Sequence, residues 1–273
     1  MIKDLALIID GRTKKAGPYA LSFAALLDAH LTAVSAVVGP YLASYAYAEL
    51  RYDLVQSARD EMQRAAEEMV HKIKTDGHQE GLQVNALSLD CFEHGAFDKL
   101  NQITRLFDIV IMEQAIPEQP EGRGKAIESV VFGSSRPVLI VPYIQTRPAS
   151  LKNVLVAWDG SAPAARALGD ALPLLARADR VELVSVGAKA LKGYDQRGAA
   201  VTRHLARHGI DATFKHTPSV GEIGSTLLSH AADIGADLLI MGAYGHSRWR
   251  EAVFGGATRS LLQAMTIPVL MSR

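Results

Sequence analysis

Glycines near the C-terminus are spaced to hold an anion. Gly242-Ala243-Tyr244-Gly245 is followed, after nine intervening residues, by Gly255-Gly256-Ala257-Thr258, and the apolar run 236–241 comes immediately before. A strand that ends in such a loop and runs on into a helix is suited to phosphate. Glycine lets backbone N–H groups turn toward an anion and approach it closely. The helix N-terminus adds unpaired donors and a positive dipole end. His246, Arg248 and Arg250 follow the second glycine; their charge suits a phosphate, and it equally suits a solvated basic loop. Arg259 falls in the first turn of the next helix, where its charge opposes the dipole unless an anion is near or the side chain points outward. Trp249 is either an apolar anchor for the loop or a partner-facing residue.

Other residues of chemical interest are scattered. Asp159 ends an apolar run and either caps the helix beginning near Ala162, with Ser161 as the rival cap, or touches a ligand. Asp10 has the same ambiguity. His204 and His208 stand i, i+4 on an expected helix, the spacing of a metal pair, but without HExxH or an evident third ligand they read as an exposed face. Ser134-Ser135 and Ser247 lack the G-x-S-x-G context of a hydrolase, and there is no Walker A lysine. Cys91, the only cysteine, reads as a small residue near a strand end. No catalytic constellation stands out, so no catalytic residue is assigned.

The elements that position these residues occur twice. Segment 4–11 resembles 153–160, 108–112 resembles 237–241, and 136–141 resembles 267–272, in the same order. The chain therefore reads as two copies of one domain, 1–145 and 151–273, joined by a polar, proline-containing stretch. Asp10 and Asp159 lie 149 positions apart, but Asp108 and Asp237 only 129. The first copy thus carries about 20 extra residues, placed in segment 41–74, which is rich in helix formers and is expected to end near Asp76-Gly77. In the second copy, strands are expected near 152–158, 180–187, 210–216, 237–241 and 267–271. Helices are expected near 162–177, 195–208, 221–235 and 256–264. Strands apolar without alternation fit a parallel sheet covered on both faces. Each copy is expected to be a five-stranded, doubly wound α/β domain, with ligands at the carboxyl ends of its strands.

Composition removes several function classes. Lys+Arg and Asp+Glu both number 29, so no net charge draws the chain to nucleic acid or to an anionic membrane. No apolar stretch approaches the roughly 20 residues needed to cross a bilayer. One cysteine allows no internal disulfide, and a cytoplasmic location is expected.

The motif G-x2-G-x9-G, with an aspartate ending the first strand and Pro-Val in the last, resembles the universal stress proteins, and the chain looks like a tandem two-domain member. The resemblance implies an adenine-nucleotide-binding α/β fold of strand order 3-2-1-4-5, of the adenine nucleotide alpha-hydrolase type. It implies Gly242, Gly245 and Gly255 as the phosphate cradle, with His246, Arg248, Gly256 and Thr258 beside it. Asp159 and Gly160 would lie under ribose or a phosphate-bound Mg²⁺, and Val186 near the adenine. Gly256 stands where ATP-binding members carry Ser or Thr, which leaves Thr258 or Ser247 to supply a hydroxyl.

The first copy has lost the cradle. Glu113-Gln114-Ala115-Ile116 replaces the first glycine pair, and Pro117 and Pro120 remove N–H donors. Gly122 and Gly124, beside Arg123 and Lys125, remain as a candidate small anion nest. The resulting expectation is ATP, or another adenine nucleotide, with Mg²⁺ bound by the second copy in a stress response. The alternatives are a slow ATPase with Asp159 as base, and a ligand-free interaction protein. The apolar last strands of the two copies are expected to pair as an internal pseudo-dimer, with a homodimer as a further step.

Overall fold

The computed structural model describes residues 1–38, 52–91, 96–116, 122–187, 194–219, 221–243 and 256–273. The chain divides into two compact units, Ile2–Pro148 and Ala149–Arg273. The first contains β1 (Asp4–Ile9), α1 (Ala16–Leu27), β2 (His30–Val38), α2 (Tyr52–Gln79), β3 (Val84–Cys91), α3 (Ala96–Thr104), β4 (Ile109–Glu113), α4 (Gly122–Gly133) and β5 (Val138–Val141). The second contains β6 (Asn153–Ala157), α5 (Ala162–Leu175), β7 (Arg180–Gly187), α6 (Tyr194–Arg207), β8 (Ala212–Pro218), α7 (Ile223–Asp233), β9 (Leu238–Gly242), α8 (Gly256–Ala264) and β10 (Val269–Ser272).

Within the first unit the strands lie in the order β3-β2-β1-β4-β5, and within the second in the order β8-β7-β6-β9-β10. Neighbouring strands inside each unit run parallel. Each unit is therefore a doubly wound α/β domain of order 3-2-1-4-5. The central strands are buried throughout, as Leu5, Leu7, Ile111, Leu155 and Leu239 show, because helices cover both faces of each sheet. In the first unit α1 packs with α2 and α3 with α4, and in the second α7 packs with α8.

One repeated residue has a defined task. The Asp108 carboxylate accepts hydrogen bonds from the backbone N–H groups of Lys3 (2.7 Å) and Asp4 (3.1 Å). The Asp237 carboxylate accepts one from the N–H of Asn153 (2.9 Å). Each aspartate ties the start of its unit's first strand to the start of the fourth, satisfying donors that the ladder does not reach.

The inserted helical segment differs from its expected bounds. α2 runs past Asp76-Gly77 to Gln79, and its described part is a single helix; segment 39–51 lies outside the described residues. Gly77 does not end the helix because it is a contact point: a Cβ there would meet Val84 Cγ2 at 2.6 Å and Leu21 Cδ2 at 3.1 Å. The turn comes at Gly81, whose φ of +76° a glycine adopts without strain.

Candidate functional site

The parallel sheet of the second unit brings the ends of β6, β7 and β9 to one edge, since these strands are neighbours in the order β7-β6-β9. Asp159 and Gly160 follow β6, Val186 sits half-buried near the end of β7, and Gly242 closes β9. Gly256 opens α8, and Thr258 is buried in its first turn. Gly245, His246, Arg248 and Gly255 lie outside the described residues, as do Ser247, Trp249 and Arg250. Arg259 is exposed on α8, the outward-pointing arrangement.

The rivalry between Asp159 and Ser161 resolves into two distinct tasks. Ser161 is the N-cap of α5, its hydroxyl accepting from the N–H of Ala164 at 3.3 Å. Asp159 closes the turn before it by accepting from the N–H of Ser161 at 2.8 Å, and otherwise stands exposed. Gly160 between them has φ +75°. At Gly242 the reason for glycine is close approach. A Cβ would lie 2.5 Å from both the Ala164 nitrogen and the Pro163 carbonyl carbon, so the end of β9 abuts the first turn of α5. Ser272 pairs in register with Gly242; in-register neighbours project to the same face of a sheet. Its Oγ is buried without a hydrogen-bond partner, a donor left over at the same edge.

The corresponding edge of the first unit is closed by its own side chains. Glu113 reaches from the end of β4 to the start of α1, where its Oε2 accepts from the N–H groups of Lys14 (2.8 Å), Lys15 and Ala16 (2.9 Å). The N-cap residue of α1, Lys15, makes no side-chain cap bond, so a carboxylate from a neighbouring strand caps the helix and meets its positive end. Arg123 lies between two acids: its Nε donates to Asp10 Oδ2 at 2.7 Å, its Nη2 to Asp10 Oδ1, and its Nη1 to Glu113 Oε1 at 3.3 Å. Burial alone would raise the Asp10 carboxyl, but Arg123, with the Arg12 N–H and the Thr13 hydroxyl, holds it below the ordinary carboxylate range. The same pair of acids raises Arg123 against its burial. The candidate nest around Gly122 and Gly124 is thus an ion-pair cluster in which Arg123 serves internal carboxylates. The sequence signalled Glu113 as the residue replacing the first glycine of the loop. The grip of Arg123 on Asp10, 113 residues away, had no local signal.

A second cluster escaped the sequence reading. Glu182 is fully buried in β7, with Arg180 Nη2 and Lys215 Nζ each 3.1 Å from Oε2, and His230 Nε2 2.6 Å from Oε1. Burial would raise its carboxyl, yet His230 and Lys215 hold it below its usual range. A single acid inside an apolar strand, Val181-Glu182-Leu183-Val184, was the available clue. His204 and His208 meet edge to face at 4.9 Å, both exposed. Among the described residues no group of three or more His, Cys, Asp or Glu could hold a metal ion, and no helix is long and apolar enough to cross a membrane.

A parallel sheet in this strand order defines a doubly wound α/β domain, a class whose ligands, when bound, lie at the carboxyl edge. The profile of the Universal stress protein family matches residues 150–273, the whole of the second unit but for its first residue. That unit therefore carries a universal stress protein family domain. Universal stress protein Slr1230 of Synechocystis sp. is 28% identical over 228 residues, covering 81% of this chain and 71% of the relative. Two solved structures share the fold over nearly the full length. A universal stress protein from Archaeoglobus fulgidus (TM-score 0.73, 18% identity) covers 99% of this chain and 96% of its own. A putative universal stress protein from Pseudomonas aeruginosa (TM-score 0.58, 16% identity) covers 100% and 93%.

Proposed function

We propose that the second unit binds ATP or a related adenine nucleotide at the carboxyl edge of its sheet, and that nucleotide occupancy is the signal this protein contributes to a stress response in the cytoplasm. The observation that carries the reading is the contrast between Asp10 and Asp159, two aspartates at one structural position. Asp10 is held by Arg123; Asp159 is exposed, its hydrogen bond going to the adjacent turn. Glu113 fills the first unit's edge, whereas Gly242 presents no side chain at the matching strand end.

The residues present fit a nucleotide carrying Mg²⁺. Ser272 leaves a buried hydroxyl unpaired at this edge, and α8 begins with glycine and has no acid in its first turn. Asp159 would face the metal-bound phosphate, Val186 the base, and Gly256 and Thr258 the phosphate chain with the preceding loop. The bound Mg²⁺ would supply charge neutralisation there. The N-terminus of α5 is a weaker seat, because Ser161 already occupies the Ala164 N–H and Pro163 offers none. Pairing of two copies of the protein is a further part of this reading.

Calorimetric titration with ATP and Mg²⁺ tests the proposal. Saturable binding is expected, with at least about tenfold weaker affinity in Asp159→Asn, the cost of one charge-assisted contact. Absence of heat and of any thermal shift at millimolar nucleotide removes it.

A further inference from the structure

His204 and His208 take no part in the nucleotide reading, yet the structure brings their rings into contact. His204 lies in the last turn of α6 and His208 directly follows it, both exposed. Their ring centroids are 4.9 Å apart and their planes cross at 68°. The backbone that carries them is fixed. Val201 and Leu205 bury α6 against the core. The helix end is closed by the N–H groups of His208, donating to the Leu205 carbonyl at 2.9 Å, and of Gly209, donating to that of Ala206 at 3.0 Å. The N–H of Ile210 returns to the Leu205 carbonyl at 3.1 Å, a closure that Gly209 makes possible at φ +75°. Two imidazoles thus project from a closed helix end, and only their own side-chain torsions remain to be set.

The separation of the rings matches what one metal ion needs. An imidazole nitrogen binds a divalent transition ion at about 2.0–2.1 Å, which places the ion roughly 3.2 Å from the ring centre. Two such rings stand about 4.6 Å apart for a right angle at the metal and about 5.3 Å apart for a tetrahedral angle. The observed 4.9 Å falls between these. Other histidines do not offer such a pair. His71 and His78 on α2 are seven residues apart, which is about 10 Å along a helix axis. His230 is engaged by the buried Glu182 at 2.6 Å.

We propose that His204 and His208 chelate one borderline divalent ion, Zn²⁺, Ni²⁺ or Cu²⁺, with water on the remaining coordination positions. The donors are imidazole nitrogens, and no carboxylate occurs between Gln196 and Ile210. Such a site takes ions that prefer nitrogen and passes over Mg²⁺ and Ca²⁺, which require oxygen. The last carbonyls of α6 carry the negative end of the helix dipole, which favours a cation there. Arg203 and Arg207 oppose it, but both are exposed, so solvent and salt screen their repulsion. With two protein ligands the ion stays open to a further donor from a solute. Because the folded chain holds the two rings together and the unfolded chain does not, the ion also stabilises the end of α6 where it leads into β8. The inference stands on this helix end alone and does not depend on nucleotide binding.

The test titrates the full, tag-free chain with Ni²⁺ alone in a calorimeter. One saturable equivalent per chain is expected, undisturbed by excess Mg²⁺. His204→Ala and His208→Ala should each weaken it at least about tenfold, the loss of one of two chelating ligands, while His71→Ala should leave it unchanged. All three side chains are exposed, so the variants should fold, as circular dichroism will verify. In amide spectra of the parent, substoichiometric Cu²⁺ should broaden residues 201–209 first. Undiminished affinity in the folded His204→Ala and His208→Ala variants overturns the proposal. So does broadening that begins at other histidines, half an equivalent taken up with pairing of two chains, or no saturable uptake of Ni²⁺ at millimolar concentration.

Discussion

Arg123 carries the charge balance of a nearly closed site, its side chain 9% exposed between Asp10 and Glu113. Arg123→Met removes one cation from the buried Glu113 and the half-buried Asp10, and a loss of about 3 kcal/mol in urea unfolding is expected. Because the Asp10 carboxyl is held below its unfolded value, its pairing contributes fully above the ordinary carboxylate pKa of about 3.9 and fades as pH falls through the lower folded value. The stability gap between the parent and Asp10→Asn should therefore stay constant from neutrality to about pH 5 and shrink below about pH 4. A gap that shrinks between pH 7 and 6 would assign it to other groups. Gly242 makes a separate prediction. A methyl 2.5 Å from the α5 backbone must push strand and helix apart, and Gly242→Ala should cost about 1–3 kcal/mol even without nucleotide.

At the scale of elements, α1 and α5 are counterparts that start three residues apart when Asp10 is aligned with Asp159, and they are capped by different means. Ser161→Ala removes a local cap and should cost about 0.5–2 kcal/mol. In α1 the cap arrives from β4, so Glu113→Ala uncovers three N–H groups at once; added acetate should restore part of the lost melting temperature by occupying the vacated seat. A melting temperature insensitive to acetate would show that those amides had turned to other acceptors. The strands were legible because their apolar runs and flanking glycines are local: β7 begins and ends where the residues place it, and α8 likewise. The end of α2 was not legible, because Gly77 answers to Val84 and Leu21 in space rather than to its neighbours in sequence. The same holds for the site. The glycine at 242 and the carboxylate at 113 were readable by comparing the two copies. The Arg123–Asp10 bond and the cations around Glu182 arise from chain segments far apart, and no spacing rule reports them.

At the scale of the whole molecule, the family likeness falls on the second unit, where the family profile matches, and the likeness to full-length structures extends the fold to both. If nucleotide binds as proposed, hydrogen exchange should slow with MgATP in peptides ending β6, β7 and β9, and stay unchanged in those ending β1, β2 and β4. At a ligand concentration 100 times its dissociation constant, the unit that binds it gains about 2.7 kcal/mol. The carboxylate of Glu113 has a consequence for counting. It is tethered by a covalent backbone, so it cannot leave its berth when a metabolite rises or falls. On the proposed reading, one half of the chain is self-satisfied and only the other registers supply. Each polypeptide should therefore take up a single equivalent along a hyperbolic isotherm, and any sigmoidal response would have to come from association between chains.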